Sequence, residues 1–138
     1  MVSHIGLSRL GVTTATGVFY GFVGIVFALP ASHVRTWRLA AWVVSGALYL
    51  THVGYERYRL DKSPLATALN AGIAVALGAF LLAVRAMVHA AMVPSHAPYW
   101  RFVLALVLWP VITAVPAFLV GLALTAVLPR VPINRGGA

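Results

Sequence analysis

The chain has 138 residues, of which 62% are hydrophobic and 9% charged, against about 45–50% and about 25% in an ordinary soluble domain. Ten Lys and Arg face only two acids, Glu56 and Asp61, giving a net charge of +8, and there is no cysteine. Disulfides, thiolate metal sites and thiol nucleophiles are therefore excluded. Nucleic acid is disfavoured as well, because the basic residues lie in small groups between apolar runs, the pattern that serves membrane orientation and anionic headgroups.

A chain this apolar is expected to use the lipid bilayer as its solvent. A span needs about 20 mostly apolar residues, so four spans joined by short loops account for nearly the whole length. The predicted fold class is an all-α integral membrane protein, a single four-helix transmembrane domain over 1–138 arranged as two helical hairpins, with spans at about 10–29, 37–54, 65–88 and 102–128.

The first span runs from about Leu10 to Leu29, after Arg9 and before Pro30. It is long for a signal-peptide core and is expected to stay uncleaved. Gly17 and Gly21 form a GxxxG pair, a spacing that lets another backbone approach closely and also one that arises from the general frequency of glycine in membrane helices.

The second span, about Trp37 to Gly54, meets no helix breaker before Leu60 and should project beyond the bilayer. Its projecting end, Tyr55 to Lys62, is the most polar stretch of the chain. Ser63 followed by Pro64 fits a helix N-cap with proline at the first helical position.

The third span, about Leu65 to Val88, carries small residues at four-residue spacing, Ala68, Gly72 and Ala76, which mark a helix-packing face. Arg85, near its far end, is placed to extend its charge toward the headgroups. Pro94 and Pro98 then interrupt the helix, and Tyr99-Trp100-Arg101 resembles an interfacial anchor. The fourth span, about Phe102 to Leu128, contains Pro110 and Pro116, each of which removes a backbone donor and favours a kink.

Positive charge is retained on the cytoplasmic side. Six basic residues (Arg9, Arg57, Arg59, Lys62, Arg130, Arg135) fall on one side and four (Arg35, Arg38, Arg85, Arg101) on the other. Both termini are thus expected in the cytoplasm, in a bacterial-type inner membrane.

The chemistry-bearing residues are few. His52 and Glu56 are spaced i,i+4 at the end of the second span, with Tyr49, Tyr55 and Arg59 near them. They share one helix face and could share a proton or bind a cation. The alternative is that Glu56 pairs with Arg59 or Lys62 at headgroup level while His52 bonds a neighbouring helix. Asn70 joins these two as the third member of a candidate polar site. His52 and His89 are the candidate ligands for a pigment or haem, although they fall near opposite ends of their spans, which disfavours a bis-histidine haem. His33, His89 and His96 gather on the other side without a carboxylate, and no metal site is expected.

No GxSxG, HExxH or P-loop motif occurs, and with two acids in the chain no enzyme is expected. The leading functional expectation is a non-catalytic accessory subunit, a membrane protein that packs against itself or against other membrane subunits in a larger complex. A small oligomeric transporter or channel is the alternative, and it would need a polar cavity near Asn70 and Thr113.

Overall fold

The computed structural model describes residues 2–28, 32–58, 60, 63–93 and 98–128, and of residues 2–9 the backbone alone. Those residues form four α-helices in the order α1 (Val2–Val26), α2 (Val34–Tyr58), α3 (Pro64–Met92) and α4 (Tyr99–Val127). Arg59, Asp61, Lys62, Pro94, His96 and the tail from Pro129 onward, to which expectations were attached above, lie outside the described residues.

Local chemistry accounts for several helix ends. Ser63 caps α3: its side-chain oxygen accepts from the Ala66 amide at 3.2 Å, and Pro64 follows at the first helical position, where its missing N–H costs nothing. α4 starts after Pro98 and continues through Pro110 and Pro116. His33, just before α2, has φ of 56°, a left-handed conformation unusual for a residue with a side chain. Its carbonyl oxygen accepts from the Trp37 amide at 3.2 Å.

α3 and α4 are 29 residues each, about 43 Å at the helical rise, and both are long and apolar enough to cross a membrane. The apolar part of α1, Leu10–Val26, is shorter. α2 has the length but falls short in apolarity, since Arg38, His52, Glu56 and Arg57 dilute its aliphatic residues.

α3 is the hub of the bundle. It runs antiparallel to α4, with Ala68 and Gly72 of α3 facing Gly121, Ala114 and Phe118 of α4. It runs parallel to α1: Gly17 sits against Ala74 and Leu77, Gly21 against Leu81, and Gly24 against Leu82. The expected hairpin of the first two helices is corrected here, because α1 takes α3 and not α2 as its principal neighbour. Steric fit gives the reason. A Cβ at Gly17 would come within 2.7 Å of a Leu77 methyl and within 2.9 Å of the Ala74 carbonyl oxygen, so the glycine face of α1 matches the leucine face of α3. α1 and α2 do touch at Phe27 and Trp37, whose rings meet edge to face at 5.7 Å.

The interior is built from small side chains: Ala68, Ala71, Ala74, Ala79 and Ala83 of α3 are buried, together with Val23 and Val53. Backbones therefore approach closely, and many small dispersion contacts replace large core residues. The large apolar side chains point outward, among them Leu104, Val107, Val111, Ile112 and Leu119 of α4.

Candidate functional site

Glu56 is fully buried, at 0% exposure, and His52 is buried on the same face of α2. Asn70 on α3 lies opposite. Its side-chain nitrogen donates to both carboxylate oxygens of Glu56, at 3.2 Å to Oε1 and 3.0 Å to Oε2. Imidazole Nε2 of His52 is 3.4 Å from Glu56 Oε1, a separation that suits an ion pair with a protonated ring but without the alignment of a hydrogen bond. The three residues of the polar cluster anticipated from sequence are thus brought together toward the loop end of the α2–α3 hairpin.

Among the described residues Glu56 has Asn70 and His52 as partners. The carboxylate turns inward to α3. Asn70 is six residues past Pro64, about 9 Å along the helix axis, so the carboxylate is drawn well inside the start of α3. The neighbouring Arg57, one of the six basic residues counted toward the cytoplasmic side, is buried as well. Thr67, one helical turn from Asn70 on the same face, is completely buried, and its hydroxyl has no hydrogen-bond partner among the described residues. Both ring nitrogens of His52 are in the same state. The cluster holds one carboxylate, one imidazole and one amide, and the His52 ring nitrogens leave hydrogen-bonding capacity to spare.

The remaining candidates lie elsewhere. His89 is exposed on α3, 19 residues beyond Asn70 and so about 28 Å along the axis, and the fold does not bring it to His52. A single group ligated by both is incompatible with this separation. Among the described residues no three His, Asp or Glu side chains converge. Thr113 turns its hydroxyl back to the carbonyls of Trp109 and Pro110 on its own helix, at 2.9 and 3.1 Å, and so faces its own backbone. Gly17, Gly21, Ala68 and Gly72 sit at helix contacts as described above, and Ala76 is partly buried.

Sequence reasoning passed over two features. The Tyr49 hydroxyl reaches from α2 to α4, where it donates to the carbonyl oxygen of Ala117. A Cβ at Gly121 would lie 2.8 Å from that hydroxyl, so the glycine makes room for it. Gly78 is the second: a Cβ there would meet the Tyr20 Cβ at 2.5 Å and the backbone of Gly17 and Gly21 at 3.2 and 3.3 Å. Its position two residues beyond the stripe Ala68, Gly72, Ala76 placed it on another face of α3, and a second set of small residues, Ala71, Ala74 and Gly78, was the available signal.

An open groove of about 540 Å³ runs along the α1–α3 seam. Val18, Gly21, Phe22 and Ile25 form one wall and Leu81, Val84 and Val88 the other, and Arg85 and His89 are its polar members. No protein-family model matches this chain, and no curated protein or solved structure is significantly similar to it.

Proposed function

We propose that the chain is a four-span integral membrane protein, with both termini on the cytoplasmic side of a bacterial-type inner membrane, that serves as a non-catalytic accessory subunit of a membrane complex. One observation carries this reading. From Val34 to Thr51, most of α2, no side chain is buried, although the segment includes Ser45, Gly46 and Ala47, and a Cβ at Gly46 would meet nothing within 4 Å. Small residues let helix backbones meet. On α1 and α3 they are used in that way, whereas on this part of α2 they stand open, as suits a contact with another membrane helix.

Membrane insertion itself is supported by the outer surface. No residue in the most apolar window of α4 is buried, the reverse of a core helix in a soluble protein, and an apolar surface of this extent needs cover from lipid or protein. Because the chain has no cysteine, single cysteines at Pro98 and Ala138 can be labelled with an impermeant maleimide. The reading expects labelling of Pro98→Cys in intact cells and of Ala138→Cys only after lysis.

The subunit role is tested by gentle extraction from the native membrane, mass spectrometry of what co-purifies, and a visible spectrum of the same sample. A stoichiometric membrane partner supports it, and a monodisperse monomer with a saturable activity of its own defeats it. The second reading, a small oligomeric transporter or channel, is favoured by the buried His52 and Glu56 beside Asn70, because ionisable residues inside a membrane bundle are costly and mark ion paths. Flux across reconstituted vesicles that is lost in Glu56→Gln would move the assignment to it.

A further inference from the structure

We infer that the groove between α1 and α3 is a binding site for one anionic phospholipid, its acyl chain against the apolar walls and its phosphate at Arg85 and His89. The inference rests on the membrane reading above, and not on the identity of any partner.

The groove has the right shape. Its α1 wall, Val18, Gly21, Phe22 and Ile25, follows the i, i+3, i+4, i+7 pattern of one helix face, and the α3 wall continues from Leu81 to Met92. Since Gly24 of α1 is level with Leu82 of the parallel α3, α1 ends at Val26 while α3 continues to Met92. Arg85 and His89 therefore stand where the α1 wall stops, one turn apart on one face, with the apolar channel leading away from them. The lining contains no acid. At about 540 Å³ the space lies within the range of small-molecule sites, about 300–1,000 Å³.

Charge complementarity selects the headgroup. Both side chains are exposed, and among the described residues no carboxylate pairs with Arg85. Glu56 is held by Asn70, 15 residues or about 22 Å away along α3, well beyond the screening length of about 8 Å at physiological salt. The C-terminal end of α3 opposes an anion, but helix-end charge fades within the last turn. Arg85 is seven residues before Met92, so its full charge prevails over the partial charge of the helix end. A guanidinium also offers planar, paired N–H groups suited to a phosphate.

A carbonate wash of the membranes comes first: the chain in the supernatant would overturn the membrane reading and this site together. With the chain in the pellet, the intact protein is purified in detergent and exposed to phosphatidylglycerol, to phosphatidylcholine with the same acyl chains, and to inorganic phosphate, and retained ligand is counted by native mass spectrometry. The site predicts one retained phosphatidylglycerol, held about tenfold more tightly than phosphatidylcholine, and negligible retention of phosphate alone. The Arg85→Gln/His89→Gln variant should lose the preference, and Val18→Trp, which fills the groove from an exposed position, should lose the lipid, both at unchanged helicity. Equal retention of the two lipids, a preference that survives Arg85→Gln/His89→Gln, or retention of phosphate alone at similar strength would each overturn the site while leaving the membrane reading in place.

Discussion

The Tyr49 hydroxyl occupies the space that a side chain at Gly121 would fill, 2.8 Å from the position of its Cβ. The two residues form a strut between α2 and α4, with the hydroxyl bonded to the Ala117 carbonyl. Tyr49→Phe removes one neutral hydrogen bond, and a loss of about 1 kcal/mol is expected. Gly121→Ala should cost about 1–3 kcal/mol, because the new methyl also meets the Ala68 Cα at 3.0 Å. In the double variant the clash with the hydroxyl is gone, so the combined loss should be smaller than the sum. Denaturant titration in detergent, followed by far-ultraviolet circular dichroism, measures all three, and strict additivity would refute the strut.

Gly78 and Gly46 make opposite predictions from the same substitution. Gly78→Ala drives a methyl into Tyr20 and the α1 backbone, where relief requires the helices to part, and about 1–3 kcal/mol of stability should be lost. Gly46→Ala meets open space and should leave the isolated chain unchanged or up to about 1 kcal/mol more stable through helix propensity. If α2 receives a partner helix there, Gly46→Leu should weaken co-purification while the thermal midpoint of the isolated chain holds. Retention of the partner by Gly46→Leu would remove that face from consideration.

The Glu56–Asn70 pair calls for a double-mutant cycle. Asn70→Ala strips a buried carboxylate of both its bonds to this amide, and a loss of about 1.5–3 kcal/mol is expected for bonds to a charged group. In a Glu56→Gln background the same change should cost less, since the acceptor is then neutral and much cheaper to keep buried. Unfolding titrations of the four proteins give the coupling energy, and a value near zero would mean that the pair does not hold the α2–α3 hairpin.

His33 gives a purely conformational test. Its φ of 56° is a conformation that costs a residue with a Cβ about 1–2 kcal/mol and costs glycine almost nothing. His33→Gly should raise the thermal midpoint, and His33→Val, β-branched and ill suited to positive φ, should lower it. A lower midpoint for the glycine variant would show that the imidazole makes a contact worth more than the backbone strain.

The helices were legible because apolar runs and their breakers are local: Ser63 and Pro64 announce the start of α3 without reference to anything distant. Pairing was not legible. Gly17 and Gly21 say that α1 has a close neighbour, but Leu77 and Leu81 resemble any other leucines of an apolar helix until the two faces are set side by side. The cluster of His52, Glu56 and Asn70 was legible as a group of polar residues, but the bonds from the Asn70 amide to both Glu56 oxygens depend on the depth of the α2–α3 contact. The outward apolar surface of α4 was anticipated as a class of surface, while the loose hold on α2 was not, since Trp37 to Gly54 has nearly the composition of a packed span.

The position of α3 at the hub also constrains the order of assembly. α1 is synthesised before α3, yet its glycine face fits that later helix, which begins at Pro64. Until α3 arrives, α1 and α2 have only a limited contact to share. A nascent chain interrupted after α2 therefore carries an unmatched glycine seam, and its Glu56 lacks the bonds from the Asn70 amide. Maturation of the chain is in effect gated by its third helix, and the quantity to follow in pulse labelling is the interval between the synthesis of Gly17 and that of Leu81.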